Sequence, residues 1–140
     1  KISNVAKHQN NGVVLVECGG TVGDIESLPF IEAIRQLRLE LGQENSMFIH
    51  VTLAPIMGPV GEEKTKPTQH SVQELRRIGI QPDIIVVRSE KRLSEASKKK
   101  ISLFTSVELK SIISNPDTKS IYDVPENLYN DGIIDSIIER

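Results

Sequence analysis

Residues 67–89 read PTQHSVQELRRIGIQPDIIVVRS. Pro67 suits the first turn of a helix, where its missing N–H is not needed, and Gly79 suits a stop. DIIVVRS, residues 83–89, is a continuous apolar run that fits a strand buried on both faces. Working outward, MFIHVTLAP (47–55) reads as an earlier strand, followed by a glycine- and charge-rich loop, GPVGEEKTK (58–66). Strand, helix and strand in this order imply a βαβ crossover and a parallel sheet.

The flanks continue the alternation. VVLVEC, Val13 to Cys18, is β-branched and reads as another strand buried on both faces, with Cys18 a small buried residue at its end. From Leu28 to Leu41 the spacing of Phe30, Ile31, Ile34, Leu37 and Leu41 predicts a helix, with Pro29 in its first turn and Gly42 as its stop. A short helix is expected over Ser94 to Phe104, a strand near Ser111 to Ser114, and a final helix carrying Ile133, Ile134, Ile137 and Ile138. Ile2 and Val5 suggest a helix tail before a turn at Asn10-Asn11-Gly12. The chain opens on Lys1 rather than Met, so the natural protein is expected to begin upstream.

Composition narrows the function. Hydrophobic residues make up 38% and charged residues 26% of the 140, the balance of a soluble globular chain. Seventeen basic against 19 acidic residues give a net charge of −2, which argues against nucleic acid or an anionic membrane as main partner. No apolar run approaches the roughly 20 residues of a membrane span. One cysteine makes no internal disulfide, so a reducing cytoplasm is the expected compartment.

Three stretches carry candidate chemistry. In ECGGTVGDIES (17–27) a strand end offers Glu17, then glycines, then Asp24 and Glu26. Glu17 could hold Mg²⁺, a hard cation that often takes only one or two carboxylates, and Asp24 and Glu26 could accept from ribose hydroxyls. A tight turn with Asp24 or Glu26 capping the next helix fits equally. In GEEKTKPTQHS (61–71), Lys64 and Lys66 flank Thr65 just before a helix whose free N–H groups point back at the loop. Two ammoniums at a helix N-terminus suit a phosphate chain, with Thr65, Thr68 and Gln69 as further donors and acceptors. The alternative is a solvated loop capped by Thr65 or Thr68. The lysines of SKKKIS (97–102) read as a solvated helix face. His8, His50 and His70 have no metal-ligand spacing; His50 reads as a packed strand residue and His70 as a support for its loop.

Together, ECGGTVGDIESLPFIEAIRQ and GEEKTKPTQHSVQELRRIGIQPDIIVVRS resemble the CTP synthase family, and the similarity continues through KKKISLF and SIYDVPENL. The resemblance implies an α/β fold with a three-layer parallel sheet of the P-loop-related, dethiobiotin-synthetase-like type, incomplete at its N-terminal side. Residues 1–140 would then be part of the synthetase domain, with the phosphate loop and a second acidic Mg²⁺ ligand upstream and a glutaminase domain downstream in the same polypeptide. The implied activity is ATP-dependent amination of UTP to CTP, with ammonia derived from glutamine, in a homotetramer.

Residue by residue, Glu17 resembles a Mg²⁺ ligand of that family, and Asp24, Ile25 and Glu26 resemble the segment recognising CTP. Lys64, Thr65, Lys66, Pro67, Thr68 and Gln69 resemble the segment shared by UTP and CTP, with Lys64 carrying a catalytic role, and Lys100 resembles a further lysine of that pocket. Asp117 and Thr118 fall where the family contacts ATP, although Asn115-Pro116 departs from its usual sequence. Glu63 stands where the family commonly has an uncharged residue. Two rival readings are another dethiobiotin-synthetase-like ligase, which would not explain KTKPTQHS, and a catalytically inactive nucleotide-sensing assembly module.

Overall fold

The apolar run at 84–87 becomes the central strand of a parallel sheet. The computed structural model describes residues 2–7, 12–59 and 61–139. Along the chain lie α1 (Ile2–Lys7), α2 (Leu28–Leu41), β1 (Ile49–Leu53), β2 (Ile56–Met57), β3 (Glu62–Glu63), α3 (Lys66–Arg77), β4 (Ile84–Ser89), α4 (Glu95–Thr105), β5 (Ile112–Pro116), α5 (Val124–Asn130) and α6 (Ile133–Ile138). The sheet order is β1-β4-β5, with both pairings parallel. The turn at Asn10-Asn11-Gly12 and His8 fall wholly or partly outside the described residues.

Alternation along β4 explains its unbroken apolar sequence. Ile85 and Val87 face one side and pack with Val72 of α3, Ile101 of α4, Leu93, Val107 and Ile112. Ile84 and Val86 face the other side and pack with Ile113 and Ile133, flanked by Met47 and Leu128. Both faces are therefore covered by helices, as a parallel sheet requires. A third cluster joins Ile31 of α2 to Leu75 and Ile80 at the far end of α3. Gly42 closes α2 at φ +85°, its N–H donating to the Arg38 carbonyl at 2.9 Å. Below the sheet, the Arg38 guanidinium pairs with the buried Asp83 carboxylate at 2.7 Å, and the same carboxylate accepts from the Phe48 N–H at 2.7 Å.

The structure corrects four expectations. Val13 to Cys18 is not a strand: Val13 is 93% and Leu15 90% exposed, and Cys18 is exposed rather than buried. A β-branched run becomes a strand only when a neighbour takes its N–H and C=O groups, and β1, an edge of the described sheet, is not hydrogen-bonded to it. The loop after Pro55 contains a short antiparallel hairpin, in which Ile56 pairs with Glu63 and Met57 with Glu62. The caps weighed for α2 (Asp24 or Glu26) and α3 (Thr65 or Thr68) are not made: Ser27 and Thr65 occupy the cap positions, and neither helix start has a side-chain cap bond. Lys98 is not solvated, because its side chain is 13% exposed and bonded to Asp131 at 2.7 Å.

The register leaves one apolar stripe bare. Ile49, Val51 and Leu53 of β1 share a face with Ile84 and Val86, but α5 and α6 cover only the β4–β5 side of it. Val51 is 60% and Leu53 53% exposed. The opposite edge is closed by Asp131, whose carboxylate accepts from the Ser114 N–H of β5 while pairing with Lys98 and Arg92, each at 2.7 Å. Removing one partner of a buried ion pair costs about 3–5 kcal/mol, because the other charge stays desolvated. Asp131→Ala is therefore expected to lower unfolding stability by about that amount in urea denaturation. A loss below about 1 kcal/mol, the range of exposed pairs, would contradict the role assigned to Asp131.

Candidate functional site

The carboxyl ends of β1, β4 and β5 gather most of the polar residues singled out from sequence. β1 ends at Leu53, whose carbonyl accepts from the buried Thr68 hydroxyl at 3.1 Å. The Lys64 N–H donates to the Pro55 carbonyl at 2.9 Å. These two bonds seat the first turn of α3 beside the end of β1. Thr65 is buried and its hydroxyl accepts from Gln69 Nε2 at 3.0 Å, so both residues are spent on holding the loop. Pro67 occupies the first turn, no acidic residue shares that turn, and no side chain caps it. The positive end of α3 thus opens outward with Lys66, which is exposed, at its first position.

Lys64 is already engaged. Its ammonium pairs with Glu62 at 2.5 Å, with both side chains partly exposed. The hydrogen bond from Lys64 holds the Glu62 carboxyl below its ordinary range, and the charge of Lys100, on α4, adds to the effect. Glu62 is thus the exposed carboxylate that an incoming polyanion would have to displace from Lys64.

Asp117 and Thr118 follow β5 at the same end of the sheet. The Asp117 N–H donates to the Ser89 carbonyl at 2.9 Å, and the Thr118 hydroxyl to the Ser120 carbonyl at 2.8 Å. Asn115, near the end of the pairing of β5, holds a buried Oδ1 without a partner among the described residues.

The acidic segment lies elsewhere. Ser27 closes the turn by donating to the Thr21 and Asp24 carbonyls at 3.0 and 2.9 Å. Asp24, Ile25 and Glu26 are exposed, and Gly23 turns at φ +102°. Val22 packs against the cluster of Ile31, Leu75 and Ile80, at the far end of α3 from Thr68. A 12-residue helix spans about 18 Å. Within one chain, Val22 thus places the start of this segment by the cluster at the C-terminal half of α3, away from Thr68. Glu17 is exposed beside Gly19, where an added Cβ would come to 3.5 Å of its Oε1. Among the described residues no group of three or more His, Cys, Asp or Glu side chains could enclose a metal ion.

A cleft of about 650 Å³ sits at the opposite end of the sheet between Arg38, Phe48, Asp83 and Lys110. Its charges are satisfied internally: Arg38 pairs with Asp83, and Lys110 with Glu108 and Glu139.

The family described as CTP synthase N-terminus matches residues 1–140. The chain belongs to the CTP synthase family. It is 55% identical over its whole length to a CTP synthase of Clostridium perfringens (strain 13 / Type A). It is 56% identical to a CTP synthase of Caldanaerobacter subterraneus subsp. tengcongensis and 54% to one of Carboxydothermus hydrogenoformans, again over all 140 residues. In each case the chain spans 26% of the relative's length. No helix among the described residues is long and apolar enough to cross a membrane.

In this member of the CTP synthase family the histidines separate by burial. His70 is exposed on α3, whereas His50 on β1 is buried and shares a hydrogen bond with the Ser71 hydroxyl at 2.8 Å. Burial pushes the His50 pKa below its ordinary value. The unfolded chain then binds this proton more readily, so stability rises with pH and is lost as pH falls below about 6.5. His50→Gln is expected to flatten the change in denaturation midpoint between pH 7.5 and 5.5. An unchanged pH slope would mean that His50 does not titrate differently in the two states.

Proposed function

We propose that this chain supplies nucleotide-binding elements of an enzyme that aminates UTP to CTP at the expense of ATP. The reading rests chiefly on one observation: the loop Lys64–Gln69 is seated by Thr68 and Lys64 at the carboxyl end of β1, where α3 presents an uncapped N-terminus between two lysines. In open α/β sheets ligands collect at this end. Membership of the CTP synthase family makes a pyrimidine nucleoside triphosphate the natural polyanion. The fold of the complete domain is, on this reading, the P-loop-related, dethiobiotin-synthetase-like type.

In the reaction, ATP gives its terminal phosphoryl group to the 4-oxygen of UTP, and ammonia then adds at C4 and expels inorganic phosphate. The protein's task is chiefly to position groups and stabilise charge. Lys66, Lys100 and the first-turn amides of α3 would hold the triphosphate. Lys64, released from Glu62, would neutralise charge near the reacting phosphoryl group. Thr65, Pro67, Thr68 and Gln69 fix the backbone on which those groups stand. Asp24, Ile25 and Glu26 would recognise CTP. A site completed between copies, in keeping with a homotetramer, would bring them to the lysine loop. Asp117 and Thr118 would contact ATP.

The exposed Glu17 carboxylate, beside a glycine with no side chain to cover it, fits one ligand of a Mg²⁺ ion held mainly by nucleotide phosphates. When bound, Mg²⁺ would offset phosphate charge during transfer. The ammonia would come from glutamine through a glutaminase domain of the same polypeptide, and the product would enter pyrimidine nucleotide synthesis.

Charge-assisted hydrogen bonds are worth about 1.5–3 kcal/mol each. In the full-length enzyme Lys66→Ala is therefore expected to weaken UTP binding by roughly tenfold or more at constant salt. Unchanged UTP affinity would remove the loop from the site. Glu17→Ala should abolish CTP formation from UTP, ATP and free ammonia while glutamine hydrolysis remains measurable. Normal CTP formation at ordinary Mg²⁺ would remove Glu17 from the reaction.

A further inference from the structure

The N-terminus of α4 is closed by a residue from a distant loop. A helix start leaves backbone N–H groups without partners. Ser94 meets part of this need, its hydroxyl accepting from the Ser97 N–H at 3.3 Å. In the usual reciprocal arrangement, a Glu or Gln three residues into the helix reaches back to the cap residue's own N–H. Position 97 here is Ser, whose side chain is too short to do so. The acceptor comes instead from Glu63 of β3. Its carboxylate takes the Ser94 N–H at 3.0 and 3.2 Å and the Ser94 hydroxyl at 2.7 Å.

We propose that Glu63 is a positioning residue for nucleotide binding: by capping α4 from outside, it clamps the lysine loop to the helix that carries Lys100. The inference rests on the reading of the lysine loop as a UTP site. Three anchors hold the loop. The Ile56–Glu63 pairing ties it to the hairpin, the Lys64 N–H ties it to Pro55, and the Glu63 carboxylate ties it to α4. Lys64 follows Glu63 directly, so its Cα cannot shift without straining the clamp.

Side-chain alternation in β3 also divides the work of two adjacent carboxylates. Glu62 turns toward Lys64 and the charge of Lys100. Glu63 turns into the positive end of α4, where its negative charge is offset by the helix dipole and does not oppose a bound triphosphate. Burial raises the Glu63 carboxyl pKa, but hydrogen bonds from Ser97 and Ser94 outweigh it, so the group stays ionised more readily than an ordinary glutamate.

The test uses the full-length enzyme and steady-state kinetics with free ammonia. Loss of a helix cap is typically worth about 1 kcal/mol, or about fivefold in an equilibrium constant. Glu63→Ala is expected to raise the KM for UTP about fivefold, with kcat and the KM for ATP changed less than about twofold. Glu63→Gln keeps an acceptor for Ser94 and should restore most of the UTP affinity. Ser94→Ala in the Glu63→Ala background removes the remaining side-chain cap of α4 and should lower Tm further, while the KM for UTP stays unchanged because the tether to the loop is already lost.

Equal losses for UTP and ATP together with a lowered Tm would reduce Glu63 to a general stabiliser and overturn the proposal. So would an unchanged or lowered KM for UTP in Glu63→Ala, the latter meaning that its charge repels the nucleotide. Lys66→Ala separates the two levels. If it weakens UTP while Glu63→Ala does not, only the clamp fails. If Lys66→Ala leaves UTP unchanged, the nucleotide reading fails and the clamp falls with it.

Discussion

The hydrogen bond from the Thr68 hydroxyl to the Leu53 carbonyl fixes where everything polar in this chain ends up. Leu53 is the last residue of an edge strand, and its carbonyl, opposed to the Ala54 N–H that donates to Arg88, points away from β4. Thr68 is fully buried, so breaking the bond would leave a desolvated donor. The bond seats the first turn of α3 against the end of β1. From there Val72 and Leu75 carry the helix down the covered face of the sheet to Ile80. Because the helix start is pinned at this end, Lys64 and Lys66 lie where the β4 and β5 loops also emerge.

Charge is distributed in keeping with that placement. At the amino end of the strands Arg38 is matched by Asp83, and at the β5 edge Lys98 and Arg92 are matched by Asp131. These pairs are partly or fully buried and hold elements together. At the carboxyl end the pairing of Lys64 with Glu62 is exposed and loosely held, as surface pairs are. A polyanion there competes with one solvated carboxylate for Lys64 and meets the uncapped start of α3, whereas in the cleft below Arg38 is held in a buried pair with Asp83 and only the exposed pairs of Lys110 are as loosely held. The uncapped first turn of α3 between two lysines, more than charge alone, points to the lysine loop as the binding end.

Much of this was legible in the sequence, and the reasons differ by element. The span of α2 follows from its apolar spacing with Pro29 and Gly42 as punctuation, and the structure returns Leu28–Leu41. DIIVVRS reads as a doubly covered strand because both sides of β4 meet helices. VVLVEC carries the same signal and is not a strand, since apolar β-branched composition reports a preference and only a neighbour's backbone satisfies it. The β2–β3 hairpin is two residues long on each side and gives no periodicity to detect. The KTKPTQ loop was visible as chemistry. That Lys98 is buried against Asp131, 33 positions on, was not, because one lysine in a run looks like the next. The Glu63–Ser94 contact left only a faint trace, a Ser cap followed at the third position by Ser where a long acceptor is usual.

The central claim is that the nucleotide triphosphate binds where α3 begins, at the carboxyl end of the sheet. Hydrogen exchange of the full-length protein with and without UTP tests it most directly, because backbone N–H groups of the loop and first helical turn are the proposed donors. The account predicts slowed exchange in peptides covering residues 64–70 and unchanged exchange in residues 106–111, which line the opposite cleft. Protection confined to 106–111, with none at 64–70, would contradict it.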